Sequence, residues 1–368
     1  MSGLRNCVVV RADVHILTHR PSLLLQPDNL KEPVGLPWIN GAVLVCLGAA
    51  VVVFYGVKMV HFAKMLYPRV CFPQPDSFFT SMGEWAVVTG GSDGIGKAYA
   101  FELAGRGLNV VILSRTKDKL DRVALEIGET TGQKVKVIVA DFTEDDMYEH
   151  IEENLKGLNI SVLVNNVGIL PSHIPCKFLQ TKDLEQRITK VINCNVKALV
   201  KMCQIVLPGM EKRGKGVIVN ISSGVASVPS PMYTMYCASK ASTDLLSLSK
   251  HRMISRLYAM LLELVVFVER FSQGLQAEYK AKRVMIQAVA PFGVSTPMTG
   301  YQKSNMVTLT AEDFVRTSLE YLQAGDKTYG SICHTVLGWM VQAVPQQILH
   351  SETMQDSLLE YVKKRVGT

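Results

Sequence analysis

The chain is poor in charge and aromatic residues, and it has no regular cysteine pattern, no histidine pair at metal-ligand spacing and no block of like charges. Only 19% of its 368 residues are charged and 48% are hydrophobic, which excludes a disordered, collagenous or coiled-coil chain. The eight cysteines lack any CxxC pair, which argues against a disulfide framework or a thiolate metal site and for a reducing compartment. The eight histidines contain no HExxH, and no metal is expected. Lys and Arg exceed Asp and Glu by 39 to 32, a net charge of +7, but the basic residues are scattered. An anionic cofactor or a membrane surface accounts for that excess, and no nucleic-acid partner is expected.

What the chain does have is a long uncharged run from Ile39 to Val57, enough to span the hydrocarbon core of a bilayer. Trp38 and Tyr55 would sit at its two interfaces. Lys58, Lys64 and Arg69 follow it with no acid before Asp76, so the positive-inside rule places the C-terminal side in the cytoplasm. The run lies too deep in the chain for an ordinary cleaved signal peptide.

From Glu84 the texture changes to short β-branched runs alternating with amphipathic stretches. The strand candidates are Trp85–Val88, Val110–Leu113, Val135–Ala140, Val162–Val164, Val217–Ile221 and Met285–Ala290. Their nearly continuous Val, Ile and Leu content suits strands buried on both faces. Helical segments between them predict an α/β, doubly wound parallel sheet.

The first strand runs into Thr89-Gly90-Gly91-Ser92-Asp93-Gly94-Ile95-Gly96 and then a helix. Glycines there permit a tight turn and close backbone approach, and the helix N-terminus beyond attracts a pyrophosphate. Gly90, Ser92, Asp93, Gly94, Ile95 and Gly96 are therefore candidate cofactor contacts. An NAD enzyme usually has an acid after the second strand for the ribose 2′-hydroxyl, but here Arg115 stands there with Lys117 following. A guanidinium pairs with a 2′-phosphate that a carboxylate would repel. NADPH/NADP is the expected cofactor.

Of the tyrosines only Tyr236 has a lysine four positions on, Lys240, which puts both on one helix face. An ammonium nearby favours tyrosinate and helps a phenol work near neutrality. Ser223 lies just beyond the buried strand Val217–Ile221, at the sheet edge where α/β folds bind ligands.

These landmarks resemble the short-chain dehydrogenase/reductase family in kind and order. They are the glycine loop at 89–96, Asp141, Asn165-Asn166-Val167-Gly168, Asn195, Ser223, Tyr236 with Lys240, and the turn from Pro291 to Thr296. The resemblance implies a Rossmann-like fold and roles for each residue. Tyr236 would protonate a substrate carbonyl, and Ser223 would hydrogen-bond the same oxygen. Lys240 would depress the tyrosine pKa and hold the nicotinamide ribose, and Asn195 would position a water leading to Lys240. Asp141 would bind adenine, Asn166 and Gly168 would floor the adenosine ribose, and Val294 and Thr296 would contact the nicotinamide end. Phe292 stands where many members have glycine.

Within the family the likeness is to membrane-anchored enzymes that reduce apolar ketones. It implies reduction of a 17-ketosteroid such as androstenedione to a 17β-hydroxysteroid such as testosterone. The alternative is reduction of a very-long-chain 3-oxoacyl-CoA in fatty-acid elongation. Acyl-CoA-reducing relatives end in a dilysine retrieval signal, whereas Arg365 and Val366 occupy those positions here. The implied setting is the endoplasmic reticulum membrane, single-pass, with the catalytic domain facing the cytoplasm; a homodimer is compatible with the family. The implied partition is a variable tail at 1–37, an anchor at 38–60, a juxtamembrane linker at 61–83, an NADP-binding reductase domain at 84–345 and a C-terminal tail at 346–368.

One departure threatens activity. Tyr236 and Pro291 stand further apart than the family allows, which places an insert at about Thr243–Phe267, just beyond Lys240. Its apolar residues keep helical spacing. A retained intron or mispredicted exon explains it most plainly, and an evolved membrane-docking element is the alternative. A catalytically inactive isoform that only binds cofactor or a partner is the reading the insert would support.

Overall fold

The computed structural model describes residues 37–228, 230–240 and 267–366. The tail at 1–36 and all but the last residue of the expected insert lie outside these residues. The chain divides into two compact units, residues 1–59 and 60–368.

The described part of the first unit belongs to helix α1 (Pro37–Leu66). Val45, Val52 and Tyr55 are each more than 60% exposed, so the apolar surface of this unit has no protein partner among the described residues. The stretch Val43–Leu66 is long and apolar enough to cross a membrane, and its carbonyls and amides pair within the helix as a bilayer requires.

In the second unit, strands β1 (Trp85–Thr89), β2 (Asn109–Ser114), β3 (Val135–Val139), β4 (Ile160–Asn165), β5 (Gly216–Ile221), β6 (Val284–Val289) and β7 (Lys327–Thr328) form one parallel sheet. Their order is β3-β2-β1-β4-β5-β6-β7. Alternate side chains along each strand go to opposite layers. Ala86, Val88, Val110 and Ile112 pack with helices α2 (Gly94–Gly105), α3 (Lys117–Thr131) and, after β6, α9 (Ala311–Glu320). Val87, Val111, Leu163 and Ile218 pack on the other face, with α4 (Tyr148–Leu155), α6 (Ala198–Arg213) and α8 (Phe267–Tyr279). Helix α5 (Leu184–Ile192) leads into α6 through a π-helical turn at Asn193–Lys197. The stretch Leu184–Arg213 is also apolar enough to span a bilayer, but half of it is buried as a layer of this core.

The sheet agrees with the expected fold and all six expected strands are present. Burial on both faces is what made them legible. The ends of the domain differ from the expected linker and tail. Residues 60–83 belong to the second unit: Phe78 and Phe79 enter its core, Met65 packs against Tyr321 and Ala324, and Phe62 lies 4.6 Å from Trp339. The C-terminal segment is helical, with α10 (Ile332–Ala343), α11 (Gln346–Leu349) and α12 (Glu352–Val366). A short helix, α7 (Thr234–Lys240), precedes the undescribed segment, and α8 packs beside it.

Candidate active site

The strand order reverses between β1 and β4, which opens a crevice at the C-terminal strand edge. The glycine loop emerges there because its backbone allows what side chains would not. Gly90 and Gly94 have φ of +68° and +55°, a region that favours glycine. A Cβ on Gly96 would lie 2.1 Å from the Gly90 carbonyl oxygen and 2.5 Å from Asn166 Nδ2. Loop and β4 are also tied together by hydrogen bonds. Asn166 Nδ2 donates to the Thr89 carbonyl at 3.0 Å, and Thr89 Oγ1 accepts from the amides of Asn166 and Val167 at 2.9 and 3.1 Å. Ser92 Oγ meets Ser114 Oγ at 2.8 Å, and Ile95 packs against the core. The result is a cradle of glycines at the start of α2 that fits a dinucleotide pyrophosphate.

Around this cradle stand the other expected contacts. Arg115 follows β2 and is exposed, with no ion pair recorded among the described residues. Asp141 accepts from the amide and hydroxyl of Thr143 at 3.0 and 2.9 Å. Both charges, with that of Lys240, bear on the buried thiol of Cys194, which burial pushes up to about 11. Thr296 lies against the loop: its Cγ2 is 3.1 Å from where a Gly94 Cβ would be. Val294 is different: the residue is only 2% exposed, in the core, and its backbone is bridged to Leu309.

The catalytic candidates converge at the end of β5. Tyr236 is 9% exposed, packed by Ala226, Leu170 and Tyr233. Burial pushes its pKa up to about 12, and the side chain of Ser223 is the hydrogen-bonding partner that pulls it down. Lys240 is 3% exposed, donates from Nζ to the Ile221 carbonyl at 2.9 Å, and is lowered by burial to about 8. In this structure the net effect on the Tyr236 phenol is a raise, set by its burial. The Lys240 ammonium is turned to the Ile221 carbonyl. Gly168 lies beside it: a Cβ there would be 3.4 Å from Lys240 Cε and 3.5 Å from Asn195 Oδ1.

Asn195 sits in the π-helical turn, 1% exposed. Its Oδ1 accepts from the Ile169 amide at 2.8 Å, and its Nδ2 donates to the Ile169 carbonyl and to Ser239 Oγ, both at 3.0 Å. Ser239 Oγ in turn donates to the Tyr236 carbonyl at 2.8 Å. Asn195 thus fastens the short helix α7 to the loop after β4. The sequence reading missed Ser239, although its place three residues after Tyr236 on a helix was the available signal. It also missed the C-terminal helix as a wall: Glu352, Gln355 and Leu359 of α12 line a cleft with Ile174, Pro175 and Met232.

Residues 84–255 match the family described as short chain dehydrogenase. The chain is 56% identical to a 17-beta-hydroxysteroid dehydrogenase type 3 from Danio rerio over 88% of this chain and 97% of the relative. It is 42% identical to a very-long-chain 3-oxoacyl-CoA reductase from Anas platyrhynchos over 77% and 84%. A short-chain dehydrogenase from Sphingobium yanoikuyae, solved in complex with NADPH, superposes with a TM-score of 0.57 at 26% identity, covering 73% of this chain and 96% of its own. With the parallel sheet, the glycine cradle and the Ser223, Tyr236 and Lys240 cluster at one strand edge, the chain belongs to the short-chain dehydrogenase family.

Proposed function

We propose that the chain is a membrane-anchored, NADPH-dependent reductase that converts 17-ketosteroids to 17β-hydroxysteroids, as androstenedione to testosterone. The likeness to the 17-beta-hydroxysteroid dehydrogenases carries the choice of substrate. It is higher, and runs further along both chains, than the likeness to the acyl-CoA reductases.

NADPH, when bound, supplies the hydride. Gly90, Ser92, Gly94, Ile95 and Gly96 would receive its pyrophosphate, with Asp93 at the head of α2. Arg115 would take the 2′-phosphate, Asp141 the adenine, and Asn166 and Gly168 the adenosine ribose. Lys240 would hold the nicotinamide ribose, with Val294 and Thr296 near the nicotinamide. Tyr236 gives its phenolic proton to the carbonyl oxygen of the substrate. A phenol held near 12 keeps that proton at neutral pH, so the resting group is an acid, as ketone reduction requires. Ser223 donates a hydrogen bond to the same oxygen and stabilises the charge that develops there. Asn195 holds α7 in place and would position a water that leads solvent protons to Lys240.

The same reading places the protein in the endoplasmic reticulum membrane as a single-pass protein, with residues 38–60 as anchor and 84–345 facing the cytoplasm. Residues 1–37 would precede the anchor as a variable tail, the helices at 346–366 belong to the unit that carries the domain, and two copies would form a homodimer. Protease added to sealed microsomes would then digest the domain after α1, and protection would reverse the orientation.

A membrane fraction of the full chain, offered androstenedione and a 3-oxoacyl-CoA with NADPH, tests the function. Turnover of the steroid is expected. Turnover of only the acyl-CoA gives the alternative substrate, and NADPH binding without turnover gives the inactive isoform that the insert would produce.

A further inference from the structure

A carboxylate is an unexpected member of a pyrophosphate cradle, because it would repel the ligand. Asp93 is nevertheless there, and its contacts point elsewhere. Its Oδ1 accepts from the Gly94 amide at 2.8 Å, Lys119 Nζ stands 3.5 Å from Oδ2, and the Tyr301 hydroxyl donates to both oxygens at 3.0 and 3.1 Å.

Tyr301 comes from a loop closed on itself after β6. Val294 bridges Leu309, Ser295 N donates to the Leu309 carbonyl at 2.9 Å, and Leu309 N donates to the Gly293 carbonyl at 3.0 Å. Inside it, Thr296 and Thr299 form a reciprocal capping box around Pro297. Gly300 and Tyr301 then take φ of +65° and +49° in succession. A left-handed tyrosine is uncommon and needs a compensating contact; the paired bond to Asp93 is such a contact. The turn carries the loop over the first turn of α2, where Thr296 already abuts Gly94.

We propose that Tyr301 and Asp93 form a latch that holds the segment 296–309 closed over the N-terminus of α2. Tyr301 is then a positioning residue that retains NADPH, an inference that rests on the cofactor reading above. The phenol and Lys119 together draw off the negative charge of Asp93, so the same contacts that close the loop also spare the pyrophosphate a repulsion.

NADPH release from the full chain in nanodiscs, followed by stopped-flow fluorescence after mixing with excess NADP, tests the latch. Tyr301→Phe is expected to speed release about fivefold to tenfold. Tyr301 is 61% exposed, so this change leaves the core intact. Asp93→Gly leaves a tolerated N-cap residue and no acceptor for the phenol, and in that background Tyr301→Phe is expected to change release by less than about twofold. Unchanged release in Tyr301→Phe, or two effects that multiply, overturns the latch while NADPH binding stands. A wild-type chain that binds no NADPH overturns the cofactor reading and the latch with it.

Discussion

The ring of Phe292 fills the space that a side chain on Gly224 would need: a Cβ there would lie 2.5 Å from Phe292 Cδ2. The same ring stacks on Tyr329 at 5.6 Å, and Tyr329 accepts a hydrogen bond from Gln342 of α10 at 3.1 Å. The loop that carries Ser223 is thereby wedged between the turn after β6 and the C-terminal helices. Gly224→Ala should cost about 2 kcal/mol of stability and lower turnover by at least roughly tenfold, since small displacements of a catalytic group are expensive. Phe292→Ala in the same chain should restore much of both. Thermal melting and steady-state reduction measure it; a Gly224→Ala protein as stable and active as the parent would show that the wedge does not position Ser223.

Removing only the phenolic oxygen should separate chemistry from binding. Tyr236→Phe is expected to keep NADPH affinity and lose turnover by about 10²–10⁴. Fluorescence titration and single-turnover assays measure the two, and substantial residual reduction would assign the acid elsewhere.

The buried ammonium of Lys240 costs stability. Its pKa is lowered from 10.5 to about 8 in the folded protein, so between those values the unfolded chain holds more protons. Stability therefore rises with pH across that window, and the full penalty of the buried ammonium is present below it. Lys240→Met should be inactive yet melt higher at pH 7, and its advantage should shrink as pH climbs from 8 to 10.5. A variant that melts lower at pH 7 would mean that the bond to the Ile221 carbonyl outweighs the burial.

Cofactor choice should turn on one side chain. Arg115→Asp is expected to weaken NADPH roughly a hundredfold while sparing NADH, because a charge-assisted pair is replaced by repulsion. Equal losses for both cofactors in parallel titrations would remove Arg115 from 2′-phosphate recognition.

The insert has its own test. Deleting Thr243 to Phe267 brings Ser242 next to Val268, the first turn of α8, and is expected to raise activity at least tenfold. Equal activity with and without those residues would mean that they are accommodated outside the site, and dependence on membrane composition would then favour a docking element.

The parts of the molecule legible in the sequence were those whose signal is local. Val87, Val111 and Leu163 mark strands by composition alone, since both faces of the sheet are buried, and Tyr236 and Lys240 declare a helix face by spacing. Strand β7 has no such signal: two residues long, it is held by ladder contacts to β6 and by Lys327 Nζ, 2.9 Å from Glu269 Oε2. Tyr301 and Asp93 meet across 208 positions and Asn195 and Ser239 across 44, and no periodicity announces such pairs. The charge on Lys240 was visible but the burial of Tyr236 was not, and that burial sets the phenol above its ordinary value. Burial, a property of the finished fold, decides that sign.

The strand order also governs how the chain is assembled. β1 pairs with β2 on one side and with β4 on the other, and β4 begins only at Ile160. During synthesis the apolar edge of β1 is left open until β4 emerges, and β5 cannot dock before that. Parallel pairings that must wait for distant partners make such sheets slow to form and exposed to misassociation. A ribosome-bound nascent chain ending before Ile160 should therefore be the most dependent on chaperones, and one ending beyond Ile221 should be the first to resist protease.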